Sequence, residues 1–354
     1  MLHKQIAKAL VTVVVGLVYS MTSVSFTVLA MRKAQGANNA PPAPAKKKLV
    51  RSTKKAVAPS PKPFSKECLE FLSVGTAALL VACVAALRMD NPVATPLQTL
   101  ALIFATLFGF VAAVRGPASF NKVVHPLITS SAVTVAVVQL IAKGTGSDLK
   151  SVLKSYKVGS LNPMKMGAGD ALLWILGPSV VSFAVSMYSR KTLIYENLLV
   201  ILIGVAVASA GGLFATAAFV RAINVGNAVP RLSLLPRNIT TALAMVIADL
   251  VGGDISQAAV CVVFTGVIGA SFGKYLLAAL GIHDPVTRGM GMGGSAQGLG
   301  VSAMSNEPDA FPFAAIAMVL TAVASTVIVS IPGTRDALIK LATGDITAAA
   351  AAAP

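Results

Sequence analysis

The chain has 354 residues, of which 55% are hydrophobic and only 12% charged, with a mean hydropathy of +0.78. A soluble protein needs about 25% charged residues to cover its surface, so the composition excludes a soluble fold and predicts an all-α, polytopic helical membrane protein. The net charge of +16 is uneven: ten basic and no acidic residues lie between 32 and 66, against 17 basic and 13 acidic from residue 67 onward. One juxtamembrane tract suits anionic lipid heads, and no nucleic-acid partner is expected from it.

Residues 9–31 form an apolar run long enough to cross roughly 30 Å of hydrocarbon. Lys4 and Lys8 ahead of it would also fit a secretory signal ending near Ala30. The run is longer than a usual signal core and basic residues flank both ends, which favours a retained transmembrane helix. Residues 32–66 are rich in Ala, Pro and Lys and read as an extended linker, held open by Pro41, Pro42, Pro44, Pro59, Pro61 and Pro63. The dense apolar pattern then resumes as a membrane domain over 67–342, and residues 343–354 read as a disordered tail. Full spans are expected at 69–87, 97–114, 123–142, 169–188, 193–220, 256–281 and 311–331, eight with the first. The longest polar loop of this domain is 143–167.

Two further segments are polar and broken. Residues 232–251 place Pro236, Arg237, Asn238, Thr240 and Thr241 within one short stretch, and residues 286–305 hold six glycines and few bulky side chains. In hydrocarbon, irregular backbone survives only inside protein or beside a water-filled cavity. Secondary transporters use such broken or re-entrant helices, often in inverted repeats, to point half-helix N-termini at an anionic substrate. That architecture is expected here. The first segment offers Arg237, Asn238, Thr240 and Thr241; the second offers Arg288, Ser295, Gln297 and Ser302, with Gly293, Gly294, Gly298 and Gly300 permitting close approach.

Plainer readings stand beside these. The two arginines could anchor segment ends at the interface, residues 289–303 could be a helix-packing face, and the threonines could bond to their own helix. Asp249 lies near its segment's end and reads as interfacial or as a proton relay. Enzyme chemistry has little support. His3, His125 and His283 are far apart, Cys68, Cys83 and Cys261 match no metal or redox spacing, and neither a Gly-x-Ser-x-Gly elbow nor a phosphate loop is present. No catalytic residue, metal or cofactor is expected.

Several motifs carry a family resemblance: Gly167–Asp170 with the Leu-Gly-Pro and Ser-Phe-Ala-x-Ser pattern after it, Leu235-Pro-Arg-Asn-Ile-Thr240, and Thr265-Gly266-x-x-Gly269-Ala270. The strongest is Asp284-Pro-x-x-Arg288-Gly289 through Ser295-Ala-Gln-Gly-Leu-Gly300, continuing to Glu307-Pro-x-Ala-x-Pro-Phe-x-Ala-Ile-Ala317. From about residue 123 to 340 the chain resembles the LrgB family of membrane proteins. It is most similar to a plastidal branch in which an LrgA-like half is fused to an LrgB-like half. Residues 9–33 and the linker to Phe64 look like that fusion's junction, so the chain would keep only the last LrgA-like helix, and it shows no transit peptide. A fragment, an incomplete gene product and a shortened paralogue all fit. The family motif usually has histidine where Gln297 stands; Gln cannot titrate near neutrality, which bears on any proton coupling.

The resemblance implies a secondary carrier for glycolate and glycerate, multi-pass in the chloroplast inner envelope, serving photorespiration. Arg237 or Arg288 would then neutralise the carboxylate, and Thr240, Ser295 and Gln297 would bind the 2-hydroxyl. Exchange and proton co-transport both stay open, as do a homo-oligomer and an LrgA-like partner. The alternatives are a non-transporting LrgB-type component regulating membrane integrity or lysis, and a channel. The positive-inside tendency puts 32–66 toward the stroma. The basic loop 143–167 then falls on the opposite side, a conflict that leaves the orientation open.

Overall fold

The structure is a computed structural model that describes residues 2–36, 39, 64–117, 120, 124, 126–188 and 191–344. Most of the expected linker and the tail beyond residue 344 lie outside these. Among the described residues there is no strand. The helices are α1 Leu2–Ala34, α2 Lys66–Arg88, α3 Ala94–Arg115, α4 Pro126–Thr145, α5 Leu149–Tyr156, α6 Ala168–Tyr188, α7 Lys191–Glu196 and α8 Leu198–Ala222. There follow α9 Ala228–Ser233, α10 Thr241–Val251, α11 Ile255–Ala279, α12 Pro285–Ala303, α13 Phe311–Ser330 and α14 Pro332–Thr343.

Seven of these, α1, α2, α3, α4, α8, α11 and α13, are long and apolar enough among the described residues to cross a membrane. The span expected at 169–188 is α6, a 21-residue helix with Pro178 inside it. The chain is therefore an all-α, polytopic membrane protein. Three helices add to the expected segments: α5, within the loop expected at 143–167, α9, mostly ahead of the segment 232–251, and α14, after the last span.

The chain divides into two compact units, residues 49–182 and residues 1–48 with 183–354. In the first, Ser65 caps α2 by accepting a hydrogen bond from Cys68 N–H at 3.1 Å, with Glu67 in the first turn and Arg88 in the last. Helices α2, α3 and α4 close around Cys83, Ala101, Leu102, Ala105, Val138 and Ile141, while Phe71, Val74 and Val81 face outward as a lipid-facing side must. A hydroxyl chain joins Thr106 to Thr134 at 3.0 Å and to Tyr156 of α5 at 3.2 Å. The Gly167–Asp170 motif also has a local cause. The Asp170 carboxylate accepts backbone N–H bonds from Val158, Gly159 and Gly167 at 2.8–3.0 Å, folding the preceding loop onto the start of α6.

In the second unit α1 buries one face, with Met21, Val24 and Val28 fully buried. It packs on α8, α11 and α12. Helix α12 starts as its sequence demands: Asp284 caps it, accepting from Thr287 N–H at 2.9 Å and Thr287 Oγ1 at 2.7 Å, and Pro285 follows where no N–H is needed. Gly289 and Gly293 then let α12 press against α13, because a Cβ at either would overlap the carbonyl oxygen of Ala310 or Ala314.

Candidate functional site

Between α9 and α10 the chain runs through residues 234–240 as turns. Pro236 has no N–H to give a helix, and Arg237 N and Ile239 N donate instead to Leu234 O at 3.3 Å and Pro236 O at 3.0 Å. Residues 232–239 are all buried. This is irregular backbone enclosed by protein, one of the two settings in which membrane depth tolerates it.

Arg237 is 0% exposed. Its Nη2 donates to Ser20 Oγ of α1 at 3.0 Å, while Nε and Nη1 have no hydrogen-bond partner among the described residues. No carboxylate there pairs with it. The guanidinium lies flat against α1 at Gly16, where a Cβ would overlap it. A cleft of about 370 Å³ between α1 and the second half of α8 ends on this group and is lined by Thr12, Gly16, Tyr19, Thr216 and Phe219 among others. Most of the rest of its lining is apolar, including Val15, Ala215, Ala218 and Ala222.

Asn238 is 2% exposed. Its Nδ2 donates to Ala208 O and to Gly294 O, both at 3.1 Å, and its Oδ1 has no partner among the described residues. Ala208 belongs to a π-helical turn, Val207–Gly211, that interrupts α8; such bulges shift carbonyls out of the regular ladder. The amide packs on Gly212, where a Cβ would sit 2.8 Å from Nδ2. Asn238 thus joins the first broken segment to the π turn and to α12. Thr240 occupies the N-cap position of α10 without a side-chain cap bond, and both it and Thr241 are half-buried.

Helix α12 breaks at Gln297, whose φ of 48° and ψ of −143° lie outside any helical region. Its Nε2 donates to Val262 O of α11 at 2.9 Å, its Oε1 accepts from Gly298 N at 3.3 Å, and Gly266 makes room for the amide. Ser295 donates back to Gly291 O. The break brings Gly300 back onto the preceding turns, where a Cβ would lie 2.7 Å from Met292 O, whereas Gly298 has room.

Arg288 is elsewhere and differently placed. Its Nε and Nη2 donate to the two carboxylate oxygens of Glu307 at 2.7 and 2.8 Å, and its Nη1 donates to Ile282 O at 3.0 Å. Lys274 adds a second cation at 3.4 Å from Glu307. Nearby, Arg32 of α1 pairs with Asp284 at 3.2 Å and donates to Asn197 at 2.7 Å.

The structure therefore brings Asn238 and Gly294 together, turns the adjacent Arg237 onto Ser20 and Gly16 of α1, holds Ser295 and Gln297 in bonds of their own, and sets Arg288 apart in an ion-pair cluster. Gly16, Ser20, Gly212 and Thr321 were not singled out from sequence. A signal for the first two exists: Thr12, Gly16 and Ser20 recur every four residues in a run otherwise built of Val, Leu and one Tyr, a stripe of small residues on one side of a helix. Among the described residues no cluster of His, Cys, Asp and Glu could hold a metal ion.

Comparison with known proteins adds to this geometry. The LrgB-like family matches residues 106–332. Plastidal glycolate/glycerate translocator 1, chloroplastic, of Arabidopsis thaliana is 35% identical over 301 residues, covering 83% of this chain and 58% of that protein. The chain therefore spans less than two thirds of that relative's length. Uncharacterized protein YwbG of Bacillus subtilis (strain 168) is 27% identical over 201 residues, 56% of this chain and 81% of its own. No solved structure matches.

Proposed function

The chain belongs to the LrgB-like family, and on that premise we propose that it is a secondary carrier for small 2-hydroxy monocarboxylates, glycolate and glycerate, in a plastid inner envelope. The observation that carries the reading is Arg237: a fully buried guanidinium in the first broken segment, unpaired on Nε and Nη1 among the described residues and held against α1 at Ser20 and Gly16. Burying a charge without a counter-ion is costly, on the order of several kcal/mol. A substrate carboxylate would relieve that cost by accepting the remaining N–H bonds, so affinity for a small anion follows from the site's own electrostatics. Arg288 has its charge matched by Glu307 already and is assigned a structural role. The name of the plant relative supports glycolate and glycerate as the acids and the plastid as the location. Glycines around the break would let α12 rearrange between inward and outward access.

The experiment is glycolate-accelerated uptake of labelled glycerate into proteoliposomes containing the purified chain. Saturable exchange is expected, falling about 10- to 100-fold in Arg237→Lys, because an ammonium cannot reproduce the planar donor set that a carboxylate matches. Uptake that rises linearly with substrate and ignores the counter-substrate would indicate a channel. Folded protein without any uptake would favour a membrane component that does not transport by itself.

A further inference from the structure

Anchoring a carboxylate does not distinguish glycolate from any other small acid; something must read the hydroxyl. The polar groups of the second broken segment are committed, Ser295 to Gly291 O and Gln297 to Val262 and Gly298. Around Gly294 the situation is reversed. The two bonds from Asn238 Nδ2 fix the orientation of that amide and leave Oδ1, which can only accept, without a donor among the described residues. Thr321 of α13 stands beside the same glycine: a Cβ on Gly294 would lie 3.7 Å from Thr321 Oγ1. On α13, Thr326 and Ser330 satisfy their hydroxyls on carbonyls one turn back, at 2.9 and 2.8 Å. Thr321 and Ser325, each 1% exposed, do not, and neither hydroxyl has a partner among the described residues; of the two, Thr321 is the one beside Gly294.

The position of this pair relative to Arg237 also matters. Asn238 is the next residue along the chain, and its amide rests on Gly212, one turn before Thr216 on the cleft that Arg237 closes. We propose that Asn238 Oδ1 and Thr321 Oγ1 form a hydroxyl-reading subsite beside Arg237, making the chain specific for monocarboxylates with a hydroxyl next to the carboxylate. Asn238 Oδ1 accepts the substrate's O–H, and the Thr321 hydroxyl donates to that hydroxyl's oxygen. The inference rests on Arg237 as carboxylate anchor. A metal cation on the same oxygens is opposed by the buried guanidinium of the neighbouring residue.

The test is calorimetric binding of glycolate and of acetate, which lacks the hydroxyl, to the full chain in lipid nanodiscs, in sodium and in choline chloride. The wild type is expected to prefer glycolate, since a buried polar site rejects an analogue that leaves it unpaired. That preference should fall about tenfold in Asn238→Val and in Thr321→Val. The second variant conserves shape and decides the matter if the first does not fold. A folded Thr321→Val that keeps the preference within about twofold overturns the subsite while leaving the carrier reading intact. Binding that requires sodium, with the requirement lost in Thr321→Val, assigns the oxygens to a cation and overturns it too. If the wild type binds neither acid, the carrier reading and this subsite fall together.

Discussion

Arg237 and Arg288 bring the same charge to two broken segments and end in opposite electrostatic states. Arg288 meets a carboxylate with both arms of its fork; Arg237 meets one serine hydroxyl and the bare backbone of α1 at Gly16. The absence of a side chain at Gly16 is what allows that contact. In an ordinary helix Gly→Ala stabilises by about 1 kcal/mol, but here the added methyl overlaps the guanidinium, and overpacking of this kind costs about 1–3 kcal/mol. Gly16→Ala is therefore expected to push Arg237 off Ser20 and to weaken glycolate binding about tenfold or more. Val14→Ala, on the 44% exposed side of the same helix, should leave binding unchanged. Equal affinities for all three proteins, measured by calorimetry, would dissociate Gly16 from the site.

At the level of the element, the six glycines of 286–305 announced a break without locating it. Four of them, Gly289, Gly291, Gly293 and Gly294, continue as helix, and Gly289 and Gly293 are there because α13 comes too close for a Cβ. Both readings of the segment, as a packing face and as a broken helix, thus describe different halves of it. The break falls on Gln297, at a φ of 48° that a side chain adopts at a cost of about 1–3 kcal/mol. Its amide bond to Val262 O offsets part of that cost, about 1 kcal/mol. The two effects separate by substitution. Gln297→Ala loses the bond and keeps the strain; Gln297→Gly loses the bond and relieves the strain. The glycine variant should melt higher than the alanine variant, the reverse of their order in a regular helix. The reverse result in thermal unfolding would mean that residue 297 is not strained. Glycine density was legible because composition limits what a helix can do; the exact break was not, because it depends on which neighbours approach and which carbonyl is within reach.

For the whole molecule, hydropathy gave the helical class and the long spans, while contacts between distant residues stayed hidden. Nothing in the order of residues tells that α1, ahead of a basic, Pro-rich stretch of sequence, belongs to the unit holding 237 and 297, or that Ser20 has its partner 217 positions away in Arg237. The same holds for Glu307, which joins Arg288 of α12 to Lys274 of α11 ahead of α13. Its carboxyl lies in the connection outside the membrane-spanning helices, held below the ordinary carboxylate range, first by the hydrogen bonds from Arg288, against partial burial, and then by the charges of Arg288 and Lys274. A carboxyl whose folded pKa is depressed contributes stability that is fully present above its unfolded value, here 4.5, and is lost as pH falls through the folded value. At neutral pH the cluster is intact, and Glu307→Gln, which removes the carboxylate that both arms of Arg288 meet, should cost about 1–3 kcal/mol. Below pH 4.5 the wild type loses the same interaction, so the two melting curves should converge as acid is added. Comparing the difference between wild type and E307Q across pH cancels the other carboxylates, which titrate in both. A gap that stays constant from pH 7 to well below 4.5 would show that the cation pair at Arg288 and Lys274 is not what Glu307 stabilises.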